Sequence, residues 1–187
     1  MRRTWGYVAL SLWGLAVLIP VSSLMAGHLV TLPRPTLESV LRLAHPTAHR
    51  QALHVLAADC ECSRRVREHL LARGARSEID EKIILVSDVV DTGERERARG
   101  FAFESLAGAE LVTKYHLESA PLLVVFGPSG ALEYSGGYTS RKQGETIAES
   151  DIIDRLQRGE VVPALPTFGC AVSTALRDQL DPLGLKN

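Results

Sequence analysis

Two cysteines separated by one residue, Cys60-Glu61-Cys62, stand between an apolar run and an amphipathic one, and a third, Cys170, lies far along the chain. The run Gln51 to Asp59 reads as a short buried strand. The run Ser63 to Gly74 reads as an amphipathic helix closed by glycine. Thiols at such a junction meet free backbone N–H groups and the positive end of the helix dipole, and both favour the thiolate. A thiolate is the nucleophile of disulfide exchange and a ligand for soft metals, so the pattern points to redox or metal chemistry.

A helix starting near Cys60 places Cys62, Val66 and Leu70 on its buried face. That leaves Cys60 as the exposed attacking thiolate and Cys62 as its resolving partner. Asp59 and Glu61 oppose ionisation of Cys60, whereas Arg64, Arg65 and the dipole favour it, for a moderate depression of its pKa. A disulfide between residues i and i+2 closes a tight ring, and strain makes such a bond easier to reduce. Cys170 stands at the start of a helix predicted to run to Leu180. It reads as a resolving thiol for Cys60, a third metal ligand, or a small core residue. His54, His69 and His116 read as surface or half-buried histidines rather than ligands, because no paired zinc-type spacing accompanies them. Gly136-Gly137-Tyr138 reads as a turn with a packed tyrosine, and Arg141 and Lys142 as rim or solvated cations.

The elements that must position these groups are predicted as follows. Thr36 caps a short helix through Leu43, with Leu37, Val40 and Leu41 on one face. A strand over 52–58 and a helix over 63–73 follow. A second strand, 81–88, is apolar enough to be buried on both faces. The charged stretch Asp91 to Gly100 is a solvated loop or exposed helix start. Phe101 to Leu117 is helical, broken at Gly108. Pro121 leads into a strand through Phe126, Gly127-Pro128-Ser129-Gly130 turns it, and 131–135 pairs back as a hairpin. A helix over 147–159, a proline-broken connector over 161–167 and the helix from Cys170 complete the chain. The order βαβ then ββα implies an α/β fold, a mixed sheet flanked by helices.

The front end differs in kind. No Lys, Arg, Asp or Glu occurs between Arg3 and Arg34, and Trp5 to Met25 is almost wholly apolar. About 20 such residues cross a bilayer core, and Arg2 and Arg3 before them orient the remainder outward. The expectation is one N-terminal transmembrane helix at 1–27, with a cleaved signal peptide as the competing reading. A linker and short helix over 28–49 and a main domain over 50–187 follow. Either way the body is exported to an oxidising compartment. Beyond residue 33 the chain carries 19 of its 21 basic and all 22 acidic residues. No concentrated basic surface is available for nucleic acid.

From about residue 50 to 160 the chain resembles thioredoxin-like proteins, closest in kind to membrane-anchored periplasmic members of the TlpA and ResA sort. The cysteine motif after the first buried strand and Ser119-Ala120-Pro121 entering the later strand carry that likeness. The resemblance implies that Pro121 is a cis-proline beside the cysteines. A narrower resemblance is to the exported proteins called RedB, through Cys60-Glu61-Cys62-Ser63, Ser135-Gly136-Gly137-Tyr138-Thr139 and Phe168-Gly169-Cys170. The departure from thioredoxin is one residue fewer between the cysteines.

Together these readings make the chain a thiol–disulfide oxidoreductase on the inner membrane with its domain in the periplasm. Cys60, Cys62, Pro121 and Cys170 form its site, no cofactor is needed, and cysteines of exported proteins are its partners. The alternatives are a copper carrier resembling the Sco group, with Cys60, Cys62 and Cys170 as ligands, and a non-catalytic thioredoxin-like interaction module.

Overall fold

The computed structural model describes residues 2–29, 31–45, 47–142 and 144–181, with the side chains at 2–5, 9, 20 and 22–29 outside the description. Strand β1 (Arg50–Ala57) is buried on both faces beyond its first residue. It pairs in parallel with β2 (Ile79–Val86), and β2 pairs in parallel with β3 (Ala102–Leu106). On its other side β1 meets β5 (Leu122–Phe126) antiparallel, and β5 meets β6 (Leu132–Gly136) antiparallel. The five-stranded mixed sheet has the order β3-β2-β1-β5-β6 and fits a thioredoxin-like fold. A separate two-stranded ladder joins β4 (Ser119–Ala120) to β7 (Cys170–Ala171).

The unbroken apolar runs of β1, β2 and β5 follow from cover on both sides of the sheet. Leu53, Val55 and Ala57 face a core shared with Val40, Leu43, Leu111 and Leu117. Ala52 and Leu56 face the opposite core with Val66, Leu70, Ile152 and Ile153. The first core lies under α2 (Leu37–Leu41) and α5 (Gly108–Tyr115), and the second under α3 (Glu61–Arg73) and α6 (Glu149–Gln157). Gly74 closes α3 with φ 77°, a conformation that glycine adopts at little cost.

Several expectations change. Residues 101–117 are not helical throughout: 102–106 form edge strand β3, and Gly108 begins α5 instead of breaking a helix. Parallel pairing with β2 decides this, aided by Lys82 Nζ reaching Glu104 Oε2 at 2.6 Å. The charged stretch holds α4 (Glu94–Ala98), where Glu96 is buried and receives Arg67 Nε at 2.6 Å. In α2, Thr36 Oγ1 accepts from the Ser39 N–H at 3.2 Å, as its capping role requires. The helix ends at Leu41, short of Leu43; Ser39 and Val40 are its buried residues, while Leu37 and Leu41 are exposed. The last helix, α7 (Thr174–Leu180), starts after Ser173, not at Cys170.

The N-terminal segment forms α1 (Arg2–Leu29), whose described apolar side chains, among them Leu10, Trp13 and Leu18, are exposed. Among the described residues no helix is long and apolar enough to cross a membrane. The transmembrane helix expected at 1–27 is therefore not supported here.

A buried ionic cluster fastens α3 to the sheet. Arg73 donates to Glu81 at 2.7 and 2.9 Å and to Glu149 at 2.8 and 3.2 Å. It also lies over the Phe101 ring. Burial opposes ionisation of Glu81, yet His54 and the Arg73 fork outweigh it and hold its carboxyl at about 2. His54 Nε2 is 3.9 Å from Glu81 Oε1, beyond hydrogen-bond range, so the fork is the firmer contact. Removing the guanidinium leaves two buried carboxylates without their cation. Arg73→Ala is expected to lower unfolding free energy by about 3–5 kcal/mol, read by denaturant titration. Because the folded pKa of Glu81 is depressed, its contribution is complete above pH 4.5 and is lost as pH falls towards about 2. The wild type should lose stability across that window.

Candidate functional site

Cys60 is the residue before α3, with extended backbone at φ −100° and ψ 119°, so its sulfur sits at the positive end of the helix. Cys62 lies in the first turn. The Ala120–Pro121 peptide is cis, in line with the resemblance, and Cys60 Sγ lies 3.9 Å from Ala120 O. Cys170 pairs with Ala120 in the β4–β7 ladder, which brings the third thiol to the same place. Cys60, Cys62, Pro121 and Cys170 thus converge, and the three cysteines are free thiols.

Their electrostatics centre on Cys60. Hydrogen bonding from Cys170 first, then from Cys62, pulls the Cys60 thiol far below its usual range, against the opposing effect of burial. The Ser63 backbone and hydroxyl add smaller contributions of the same sign. The Cys62 and Cys170 thiols are pushed up, each by its bond to Cys60 and then by burial. The direction of these shifts makes Cys60 the thiol of the three that ionises most readily.

Two expectations are reversed. Cys60 is 1 % exposed, whereas Cys62 is half-buried, so the thiol expected to be exposed is the covered one. Cys60 belongs to the core cluster against which Cys170 and Val172 pack. Cys170 owes nothing to a helix start, because it lies in β7. The arginines matter less than expected. Arg64 is engaged with Glu61 at 2.6 Å and Glu68 at 3.0 Å, while Arg65 donates to Gly144 O at 3.0 Å. Arg65 and Lys142 do favour the Cys62 thiolate weakly. Arg141 is exposed.

Beside Cys62 a small cleft is lined by Arg65, Pro121, Tyr138, Thr139, Ile147 and Phe168. Tyr138 is packed as expected and hydrogen-bonds His54 Nδ1 at 2.9 Å. His54 is fully buried rather than half-buried. His69 contacts Glu149 at 3.3 Å, and His116 closes α5 with φ 53°. Among the described residues, the three-donor group whose ligand atoms all lie within 4.8 Å of one another is His54–Glu81–Glu149, not the cysteines. Arg73 already bonds both of its carboxylates. The glycines at 136 and 137 serve close approach: a Cβ on either would crowd the backbone of Leu165 or Pro166. Phe168-Gly169-Cys170 was the sequence signal for this neighbourhood, whereas nothing in the spacing of His54, Glu81 and Glu149 announced theirs.

No family model matches the chain, and no curated protein matches it. Solved structures that resemble it include an uncharacterized conserved protein from Geobacillus kaustophilus, 16% identical with a TM-score of 0.46, covering 77% of this chain and 90% of that one. The thioredoxin domain of a thiol-disulfide oxidoreductase from Bacteroides vulgatus is 11% identical with a TM-score of 0.38, covering 62% and 81%. StoA from Bacillus subtilis is 12% identical with a TM-score of 0.36, covering 57% and 82%.

A readily ionised Cys60 has a spectroscopic signature. Thiolate absorbance near 240 nm, followed during acid titration of the reduced protein, should report one thiolate persisting well below neutral pH. Cys60→Ser should remove it. Cys170→Ser and Cys62→Ser should each move its loss to higher pH, the former by more, since Cys170 is the larger stabilising donor.

Proposed function

We propose that this chain is an exported thiol–disulfide oxidoreductase acting on cysteines of other exported proteins. One observation carries the reading: a Cys60 sulfur flanked by the thiols of both Cys62 and Cys170, beside Pro121. The Cys60 thiolate attacks a substrate disulfide R–S–S–R′. A Cys60–S–S–R bond forms, the substrate S–S bond breaks, and R′–S⁻ leaves with a proton from a neighbouring thiol. The Cys62 thiolate so produced attacks the Cys60 sulfur, closing Cys60–S–S–Cys62 and releasing R–S⁻. Cys170 is placed to resolve in the same way. Run backwards, the steps pass a disulfide to a dithiol.

Export rests on the charge-free apolar segment between Arg3 and Arg34, acting as an inner-membrane anchor or signal that leaves the domain in the periplasm. The likeness to TlpA, ResA and RedB proteins supports the same placement. A periplasmic domain that keeps three free thiols has a use for them. The acidic balance of the body speaks against a nucleic-acid partner.

Reduced protein should catalyse reduction of a protein disulfide by a small dithiol. Cys60→Ser should lower that rate by about 100-fold or more. The double variant Cys62→Ser, Cys170→Ser should accumulate a mixed disulfide with substrate. A Cys60→Ser variant at the wild-type rate would overturn the reading. Tight, stoichiometric copper in the purified protein without disulfide exchange would put the Sco-like alternative in its place, with the same cysteines as ligands. Neither activity nor metal would leave an interaction module.

A further inference from the structure

Cys60 is only 1 % exposed, yet the residues around it line clefts. Ala58 and Asp59 border one, and Cys62 with Pro121 borders another. A third, of about 210 Å³, lies among α3, α4 and the ends of β1 and β2. Its wall includes Ser63, Arg67, Glu68 and Arg95, a polar setting suited to water and water-sized molecules.

Ser63 joins that cleft to the sulfur. It stands in the first turn of α3, is 1 % exposed, and its hydroxyl has no hydrogen-bond partner among the described residues. An unpaired buried hydroxyl is rare and asks what it is kept for. The same hydroxyl favours ionisation of Cys60, so it borders both the sulfur and the cleft. Cys62 and Cys170 pack against the cluster that holds Cys60, whose Sγ lies 3.9 Å from the carbonyl oxygen of Ala120, the residue paired with Cys170. A nucleophilic sulfur, a spare hydroxyl donor and two further thiols are the groups that peroxide reduction requires. A protein disulfide brings two chains to be seated before its sulfur meets Cys60. A hydroperoxide brings two oxygens.

We propose that Cys60, Ser63 and the two neighbouring thiols also reduce small polar hydroperoxides, of which hydrogen peroxide is the simplest. The Cys60 thiolate attacks one oxygen of HO–OH. An S–O bond forms and the O–O bond breaks. The leaving hydroxide, held by the Ser63 hydroxyl, takes its proton from the Cys62 or Cys170 thiol and departs as water. The thiolate so produced attacks the Cys60 sulfenic acid, an S–S bond forms as the S–O bond breaks, and the second hydroxide becomes water with a proton from solvent. Two thiols are oxidised to one disulfide, and one peroxide is reduced to two waters. A dithiol reductant restores the thiols. This rests on the same sulfurs as the exchange reading and differs in the oxidant.

The test mixes reduced full-length protein in detergent with hydrogen peroxide at neutral pH, quenches in acid and counts thiols. One peroxide should consume two thiols and leave a disulfide containing Cys60. Free cysteine is a few per cent thiolate at neutral pH, so complete ionisation alone gives about 30-fold over it. The protein should exceed free cysteine by at least about 100-fold, the surplus coming from the donors. A rate no higher than the ionisation figure overturns the proposal. Ser63→Ala should lower the ratio of peroxide rate to iodoacetamide rate about tenfold, a ratio in which altered ionisation or access of Cys60 cancels. An unchanged ratio overturns the role of Ser63. Cumene hydroperoxide, bulky and apolar, should react at least about tenfold more slowly than hydrogen peroxide. Equal rates overturn the assignment to small polar peroxides. The double variant Cys62→Ser, Cys170→Ser, checked for folding by circular dichroism, should stop at a Cys60 sulfenic acid that dimedone traps. No adduct in the folded variant overturns Cys60 as the reacting sulfur. Slow peroxide reduction beside normal exchange with a protein disulfide overturns this proposal and leaves the exchange reading standing. Fast peroxide reduction without exchange supports this proposal and overturns the exchange reading.

Discussion

A buried sulfur with two other thiols beside it is the constraint to which the rest of this site answers. Burying an ionised group is costly unless donors surround it. Here the donors are two other thiols, with smaller help from Ser63. The single-residue spacing of Cys60-Glu61-Cys62 delivers one of them along the first turn of α3. The other comes from a distant part of the chain, brought in by pairing of β7 with β4. Each neighbour favours ionisation of Cys60, and its own thiol is pushed up in turn. The arrangement makes Cys60 the hub of any disulfide within the chain.

Such a hub needs a helix whose start does not wander. The far end of α3 is fastened by Arg73 to Glu81 on β2 and Glu149 on α6, all within the same buried cluster. His54 on β1 and Tyr138 continue that polar layer to the wall of the cleft beside Cys62. The helix carrying the cysteines is thus held at one end by sulfur and at the other by an ion-pair fork. The fork is part of the scaffold and takes no step in the exchange chemistry.

Much of this could be read from residues alone. β1, β5 and β6 announce themselves by apolar runs and by Gly127-Pro128-Ser129-Gly130 between the last two, and α3 by its stripe and closing Gly74. β3 escapes because a half-covered edge strand of five residues shows no firm period, and Phe101 to Leu117 contains enough apolar residues to imitate a helix. The exposure of Cys60 was misjudged for a different reason. Helical geometry near the motif is local, whereas the burial of its sulfur involves distant residues such as Ala120, itself paired with Cys170. A two-residue strand such as Cys170–Ala171 has no periodicity to detect. The burial of His54 likewise depends on Tyr138 and Phe101, which meet it only in the folded chain.

The account stands or falls on Cys60 as the central sulfur, and disulfide connectivity tests that directly. Reduced protein is treated with a limiting small disulfide, quenched in acid, and mapped by non-reducing peptide mass spectrometry. Every intramolecular disulfide formed should contain Cys60, paired with Cys62 or with Cys170. A predominant Cys62–Cys170 bond with Cys60 left as a free thiol would contradict the account.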